Sequence, residues 1–230
     1  MARNTFDAVA FDLDGTLYPN YRLNIRIVPS MLRELPLFLA LRKARNILHG
    51  NKGPAPRLSS GDRGEEFYNF QARLMASRLG ADPAALREKI DRIVYRGWEP
   101  FFKDISPFSG VRESLAAIRS GGRKLGVLSD FPPEKKLEHL GLGGVWDAVL
   151  CSELTGSLKP AGLPFAELAR GLGCRPERIL YVGNSRRYDI RGAKQAGMKA
   201  ALVSWPFKRN CPEADFVFSD YRKLAQFVLS

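Results

Sequence analysis

Two aspartates two residues apart, Asp12 and Asp14, follow the apolar run Ala8-Val9-Ala10-Phe11 and lead into Gly15-Thr16. Three later apolar runs also hand over to polar groups: Ser129-Asp130 follows 124–128, Lys159-Pro160 comes after 148–151, and Gly183-Asn184-Ser185 follows 179–182, with Asp189 five residues past Asn184. In an open parallel sheet ligands bind beyond the carboxyl ends of the strands, so the four positions offer carboxylates, a hydroxyl, an ammonium and an amide to one crevice. That set suits phosphoryl transfer through a covalent aspartyl phosphate. A carboxylate attacks phosphorus, and a hard Mg²⁺ ion on oxygen ligands offsets its repulsion from the phosphate dianion. Ser129 and Lys159 are the donors for the phosphoryl oxygens. The second carboxylate is placed to protonate the leaving alcohol and then to activate water. Gly15 lets the turn bring backbone N–H groups against phosphate, Thr16 braces it, and Asp130 joins them as a substrate-binding residue.

The elements that must position these groups are legible from residue 105 onward. Runs at 124–128, 148–151, 179–182 and 200–203, with a weaker one at 216–218, predict short strands buried on both faces. Helical patterns at 109–120, 133–140, 164–172 and 189–196 alternate with them, each followed by glycine. Strands joined by such helices form a parallel sheet with right-handed crossovers, and 8–11 supplies one more strand. The expected fold is a doubly wound, Rossmann-like α/β core. Between 8–11 and the rest lie helical patterns at 28–49 (split or kinked by Pro36), 65–79 and 83–96, and a Gly/Pro/Ser loop at 50–61. The expected division is a core of 1–18 and 105–230 with a helical module inserted at 19–104.

Phe11-Asp12-Leu13-Asp14-Gly15-Thr16-Leu17 resembles the first motif, D-x-D-G-T, of the haloacid dehalogenase-like hydrolase superfamily. Ser129, Lys159-Pro160 and the stretch from Gly183 to Asp189 resemble its second, third and fourth motifs in order, and the insertion resembles its C1-type cap. The resemblance implies a phosphoglycolate-phosphatase-like phosphomonoesterase. In it Asp12 is the nucleophile, Asp14 the general acid and base, Ser129 a phosphate ligand, and Lys159 the group that orients Asp12. Mg²⁺ is then expected on the Asp12 carboxylate, the Asp14 carbonyl, Asn184 and Asp189. The fourth motif usually begins Gly-Asp; Asn184 brings an amide oxygen without charge, which implies a weaker hold on the ion. Dehalogenases of the superfamily use neither a metal nor the second aspartate, so Asp14 argues for phosphate chemistry. A phosphotransferase or phosphomutase with the same intermediate, and a silenced core that only binds anions or nucleic acid, stay open as alternatives. His49 and His139 lie on helical patterns without metal-ligand spacing and read as surface or packing residues.

The chain has 230 residues with 36 Lys+Arg against 24 Asp+Glu, a formal charge of +12, and 45% hydrophobic residues, which excludes a disordered basic tail. Cys151, Cys174 and Cys211 are too few and too scattered for a disulfide framework or a zinc site, and the N-terminus shows no export signal, so a cytoplasmic protein is expected. The longest apolar stretch, 37–41, is far short of a bilayer span, and no RNA-binding aromatic signature or helix-turn-helix pattern appears. The expected partner is a small phosphorylated metabolite, not a membrane or a nucleic acid. Oligomeric state is not legible. The charge is concentrated: residues 20–60 carry eight basic groups against Glu34 alone. Arg22, Arg26 and Arg33 are candidates to face the crevice and select a further anionic group on the substrate.

Overall fold

The computed structural model describes residues 6–50, 62–204 and 210–230. The loop read at 50–61 lies outside them but for Gly50, as do Lys52 and Arg57.

Continuous apolar runs bury both faces of a strand, and they assemble here into one six-stranded parallel sheet. Its strands are β1 (Ala8–Phe11), β2 (Lys124–Ser129), β3 (Ala148–Cys151), β4 (Ile179–Gly183), β5 (Lys199–Val203) and β6 (Phe216–Phe218), in the order β3-β2-β1-β4-β5-β6. β1 is central: Phe11 pairs with Val127 on one side and Val182 on the other. The order reverses about β1, so the ends of β1, β2 and β4 open on the switch-point crevice. β3 departs from the expected burial on both faces. It is an edge strand, and Val149 is 37% exposed.

Helices cover both faces. α5 (Val111–Ser120), α6 (Glu134–His139) and α9 (Tyr221–Leu229) add Leu115, Ile118, Leu137, Leu224 and Val228 to one core with Val9 and Phe11. α7 (Gly162–Leu172) and α8 (Arg191–Gln195) close the other with Phe165, Leu168 and Ala193. The 189–196 pattern begins earlier, as a π-helical turn at Arg186–Ile190 that runs into α8. α9 was not read from the sequence, although Asp220 caps it and residues 221, 224, 225 and 228 form its buried stripe.

Among the described residues four α-helices intervene between β1 and α5: α1 (Asn20–Arg33), α2 (Leu35–Gly50), α3 (Arg63–Leu79) and α4 (Pro83–Ile90). α2, α3 and α4 share a third core around Phe38, Leu41, Met75 and Ile90, whereas α1 sends Leu23 and Ile27 into the first core beside Phe102. The helix expected at 28–49 starts eight residues earlier and breaks at Glu34, not at Pro36. Pro36 has no N–H for the Leu32 carbonyl, so the ladder is interrupted ahead of the proline, which then sits in the first turn of α2 where no donor is needed. The 83–96 pattern likewise divides, because a π-helical turn at Asp91–Tyr95 follows α4.

Candidate active site

The chain leaves β1 in a tight turn, with the Leu13 carbonyl accepting from the N–H groups of Thr16 (3.2 Å) and Leu17 (3.0 Å). Gly15 has a φ of +84°, and a Cβ there would lie 2.1 Å from Asn184 Nδ2. Backbone and space both demand glycine. Tyr221 of α9 pins the turn by donating to the Thr16 carbonyl.

Asp12 is 6% exposed and engaged through both oxygens. Lys159 Nζ donates to Oδ1 at 2.7 Å, and Thr16 Oγ1 donates to Oδ2 at 2.7 Å. Burial drives the Asp12 carboxyl up to about 7, with the Lys159 ammonium opposing and the Asp189 charge adding to the rise. Lys159 is buried, yet two carboxylates keep it protonated, because Nζ also donates to Asp189 Oδ1 at 2.8 Å and Tyr181 OH at 3.3 Å. The other Asp189 oxygen accepts from the backbone N–H groups of Asn184 (3.1 Å) and Ser185 (2.9 Å). Asn184 Nδ2 donates to the Asp14 carbonyl at 3.0 Å, tying the loop after β4 to the loop after β1.

Asp14 faces the other side of the crevice. Burial would raise its carboxyl, but the Lys136 ammonium and Tyr18 hydroxyl outweigh burial and hold it below the ordinary range. Lys136 Nζ lies 2.8 and 2.7 Å from the two Asp14 oxygens. Ser129 Oγ is 3.5 Å from Asp14 Oδ2 and accepts the Phe131 N–H at 3.2 Å. Asp130 turns to the neighbouring loop: its carboxylate accepts from Ser152 Oγ and, at 3.1 Å, from the Lys159 N–H.

The structure thus brings Asp12, Asp14, Gly15, Thr16, Ser129, Lys159, Asn184 and Asp189 to one place and puts Asp130 behind them. It adds Lys136, which sequence reasoning missed. Lys136 shares a helix face with buried Leu140, and its side chain is 13% exposed against 65% for Lys135; a lysine on the apolar face of an amphipathic helix was the signal. His49, read as a surface or packing residue, sits against the site, with Nδ1 2.6 Å from the Lys159 carbonyl oxygen and its ring on Tyr188. The pattern of α2 shows its faces but not where its end lands. Arg22 and Arg33 are exposed, and Arg26 donates to the Phe101 and Lys103 carbonyls, which turns its guanidinium to that loop. Arg45 does turn inward, but its guanidinium pairs with buried Glu153 and covers the Phe131 ring at 3.9 Å. Arg186 points away, to Glu213 at 2.7 Å.

A cleft of about 100 Å³ is lined by Tyr95, Trp98, Phe102, Phe131 and Lys136, and so reaches the group that holds Asp14. Tyr95 and Pro132 also line a larger cleft of about 260 Å³ between α3 and α4, beside Tyr68 and Gln71. Among the described residues no group of three His, Cys, Asp or Glu side chains is placed to hold a metal. The donors around Gly15 are all hard oxygens when the Asn184 amide presents its carbonyl, as an amide turn allows. That set fits Mg²⁺, with one carboxylate fewer than a Gly-Asp motif brings.

The chain is 30% identical over 203 residues to the glyceraldehyde 3-phosphate phosphatase of Methanothermobacter thermautotrophicus, covering 86% of this chain and 85% of that one. It is 28% identical over 225 residues to the phosphoglycolate phosphatase of Aquifex aeolicus, covering 92% and 91%. Its fold matches the crystal structure of a haloacid dehalogenase-type phosphatase from Thermococcus onnurineus, with a TM-score of 0.66, 22% identity and coverage of 97% and 98%. The sequence profile of the haloacid dehalogenase-like hydrolases matches residues 6–197, and the chain belongs to that family.

Proposed function

We propose that the protein is a Mg²⁺-dependent phosphatase that hydrolyses a small phosphorylated metabolite through an aspartyl phosphate on Asp12, with residues 19–104 as its cap. The observation that carries this reading is the posture of Asp12. It is fixed between Lys159 and Thr16 at the end of the central strand, with the Asp14 carboxyl across the crevice beside Ser129. In the first step an Asp12 oxygen attacks phosphorus and the ester P–O bond breaks. The leaving alkoxide takes a proton from Asp14 in its acid form. In the second, Asp14 takes a proton from water as the water oxygen attacks the phosphoryl group, the P–O bond to Asp12 breaks, and phosphate leaves. Ser129 Oγ and Lys159 Nζ donate to the phosphoryl oxygens. The Asp12 carboxylate, the Asp14 carbonyl and Asn184 would hold the ion, which supplies positive charge against the phosphate dianion. Asp189, already engaged by Lys159 and two backbone amides, backs that set. Asp130 fixes the Lys159 loop.

The named substrates of the relatives, glyceraldehyde 3-phosphate and phosphoglycolate, support a small phosphomonoester. A panel of phosphorylated metabolites assayed for released phosphate tests the reading. Asp12→Asn should lower kcat by roughly four orders of magnitude or more. Activity that survives in Asp12→Asn overturns the mechanism, and transfer to a sugar acceptor in preference to water would make the enzyme a phosphotransferase.

A further inference from the structure

Arg26 and Arg45 of the basic segment are engaged by other partners, and the helices that carry them have a second property. Of the nine large apolar side chains left exposed among the described residues, six fall on α1 and α2: Tyr21, Ile25, Val28, Leu32, Leu35 and Leu39. Separations of four and three residues keep Tyr21, Ile25, Val28 and Leu32 on one side of α1, and a separation of four keeps Leu35 and Leu39 on one side of α2. The other side is buried, through Leu23 and Ile27 in α1 and Leu37, Phe38 and Leu41 in α2. Ile25 and Leu32 are each 67% exposed. Arg22, Arg26, Arg33, Arg42 and Lys43 are exposed around the row. Neither helix contains an acidic residue, and Glu34, at the break between them, pairs with Lys89 at 2.7 Å.

We propose that this face docks the protein on an anionic lipid bilayer, with α1 and α2 lying in the interface. An apolar row flanked by exposed basic side chains is what such a surface takes up: acyl chains receive the row, and acidic headgroups receive Arg22, Arg33, Arg42 and Lys43, whose stems snorkel along it. A second copy of the chain is the poorer occupant, because pairing α1 with itself sets arginine against arginine. A helical partner needs an unbroken seam, and the break at Glu34 interrupts it, whereas a bilayer requires only that the residues project to one side. Nucleic acid has no use for the apolar row. No helix among the described residues is long and apolar enough to cross a membrane, so the association is peripheral.

Co-sedimentation with vesicles tests this. The protein should pellet with phosphatidylcholine–phosphatidylglycerol vesicles but not with phosphatidylcholine alone, and salt should release it. Arg22→Ala/Arg33→Ala should lower the partition coefficient about thirtyfold, from roughly fivefold per cation at an anionic surface. Ile25→Glu/Leu32→Glu should abolish binding, while its circular dichroism and its hydrolysis of a soluble aryl phosphate match wild type. Absence of binding to the anionic vesicles overturns the proposal, and so does binding that survives Ile25→Glu/Leu32→Glu. Sedimentation without lipid is the companion measurement: a dimer dissolved by Ile25→Glu/Leu32→Glu would assign the face to a second copy instead.

Discussion

Asp12 and Asp14 are neighbours in sequence, yet they live in different electrostatic surroundings. Asp12 is buried deeply enough to be pushed up to about 7 despite Lys159, while Asp14, nearer the opening, is held down by Lys136 and Tyr18. The two carboxyls therefore titrate in different ranges in the free site, and neither shift by itself assigns a part in the reaction. Lys136 lies between the Phe102 and Phe131 rings, 5.2 and 5.3 Å from their centroids, so packing as well as charge fixes its aim at Asp14. Replacing it frees the Asp14 carboxylate to swing. Lys136→Met should lower kcat about ten- to a hundredfold, up to the lower end of a general acid–base contribution, with little change in KM. Lys136→Arg, which keeps charge and reach, should recover most of the loss. Wild-type kcat in Lys136→Met, in steady-state assays, would show that Lys136 only packs.

At the scale of elements, the joint between the inserted helices and the sheet is a buried ion pair. Arg45 of α2 meets Glu153, whose side chain is 0% exposed, beyond β3, and Tyr68 and Tyr95 donate to the same carboxylate at 3.2 and 3.0 Å. Burial raises the Glu153 carboxyl, and Arg45 opposes the rise. Breaking such a pair from one side strands a charge, whereas removing both charges does not. Denaturant unfolding of Arg45→Met should show a loss of about 3–5 kcal/mol, and adding Glu153→Gln should restore most of it. Additive losses would refute the coupling. This joint also marks where sequence reading stops. The strands were legible because a run buried on both faces is apolar throughout, and the polar residues at their ends were legible because the topology sends ligands there. Arg45 could be placed on a helix, but its partner lies 108 residues away. No local pattern announces that meeting, nor the arrival of Lys136 at Asp14.

Over the whole molecule, the excess of basic groups gives surface carboxylates cations to pair with. Asp7 beside Arg178, Asp220 beside Arg222 and Glu213 beside Arg186 all sit below their ordinary values, and the hydrogen bond from Arg186 holds Glu213 at about 2. A carboxyl depressed on folding stabilises the native state above its unfolded value, 4.5 for Glu213, and that contribution is lost as pH falls through the folded value. The Tm difference between wild type and Glu213→Gln should therefore be open at neutral pH, close as the pH falls from 4.5 toward about 2, and shrink with salt because the pair is exposed. A difference that persists in strong acid would contradict the assignment. The concentration of positive charge at 20–60 was legible in the sequence. The direction those side chains face was not, since periodicity separates two helix faces without saying which one the rest of the chain covers.

The central position of β1 has a consequence for synthesis. The strand leaves the ribosome well before its two neighbours, β2 and β4, are made. At roughly 5–20 residues per second, Ala8-Val9-Ala10-Phe11 waits about ten to thirty seconds for β4 to emerge. For that time the nascent chain displays an apolar, unpaired strand joined to Asp12 and Asp14, a segment for holdase chaperones to shield. A message cut short before β4 yields a polypeptide in which β1 lacks one of its two partners.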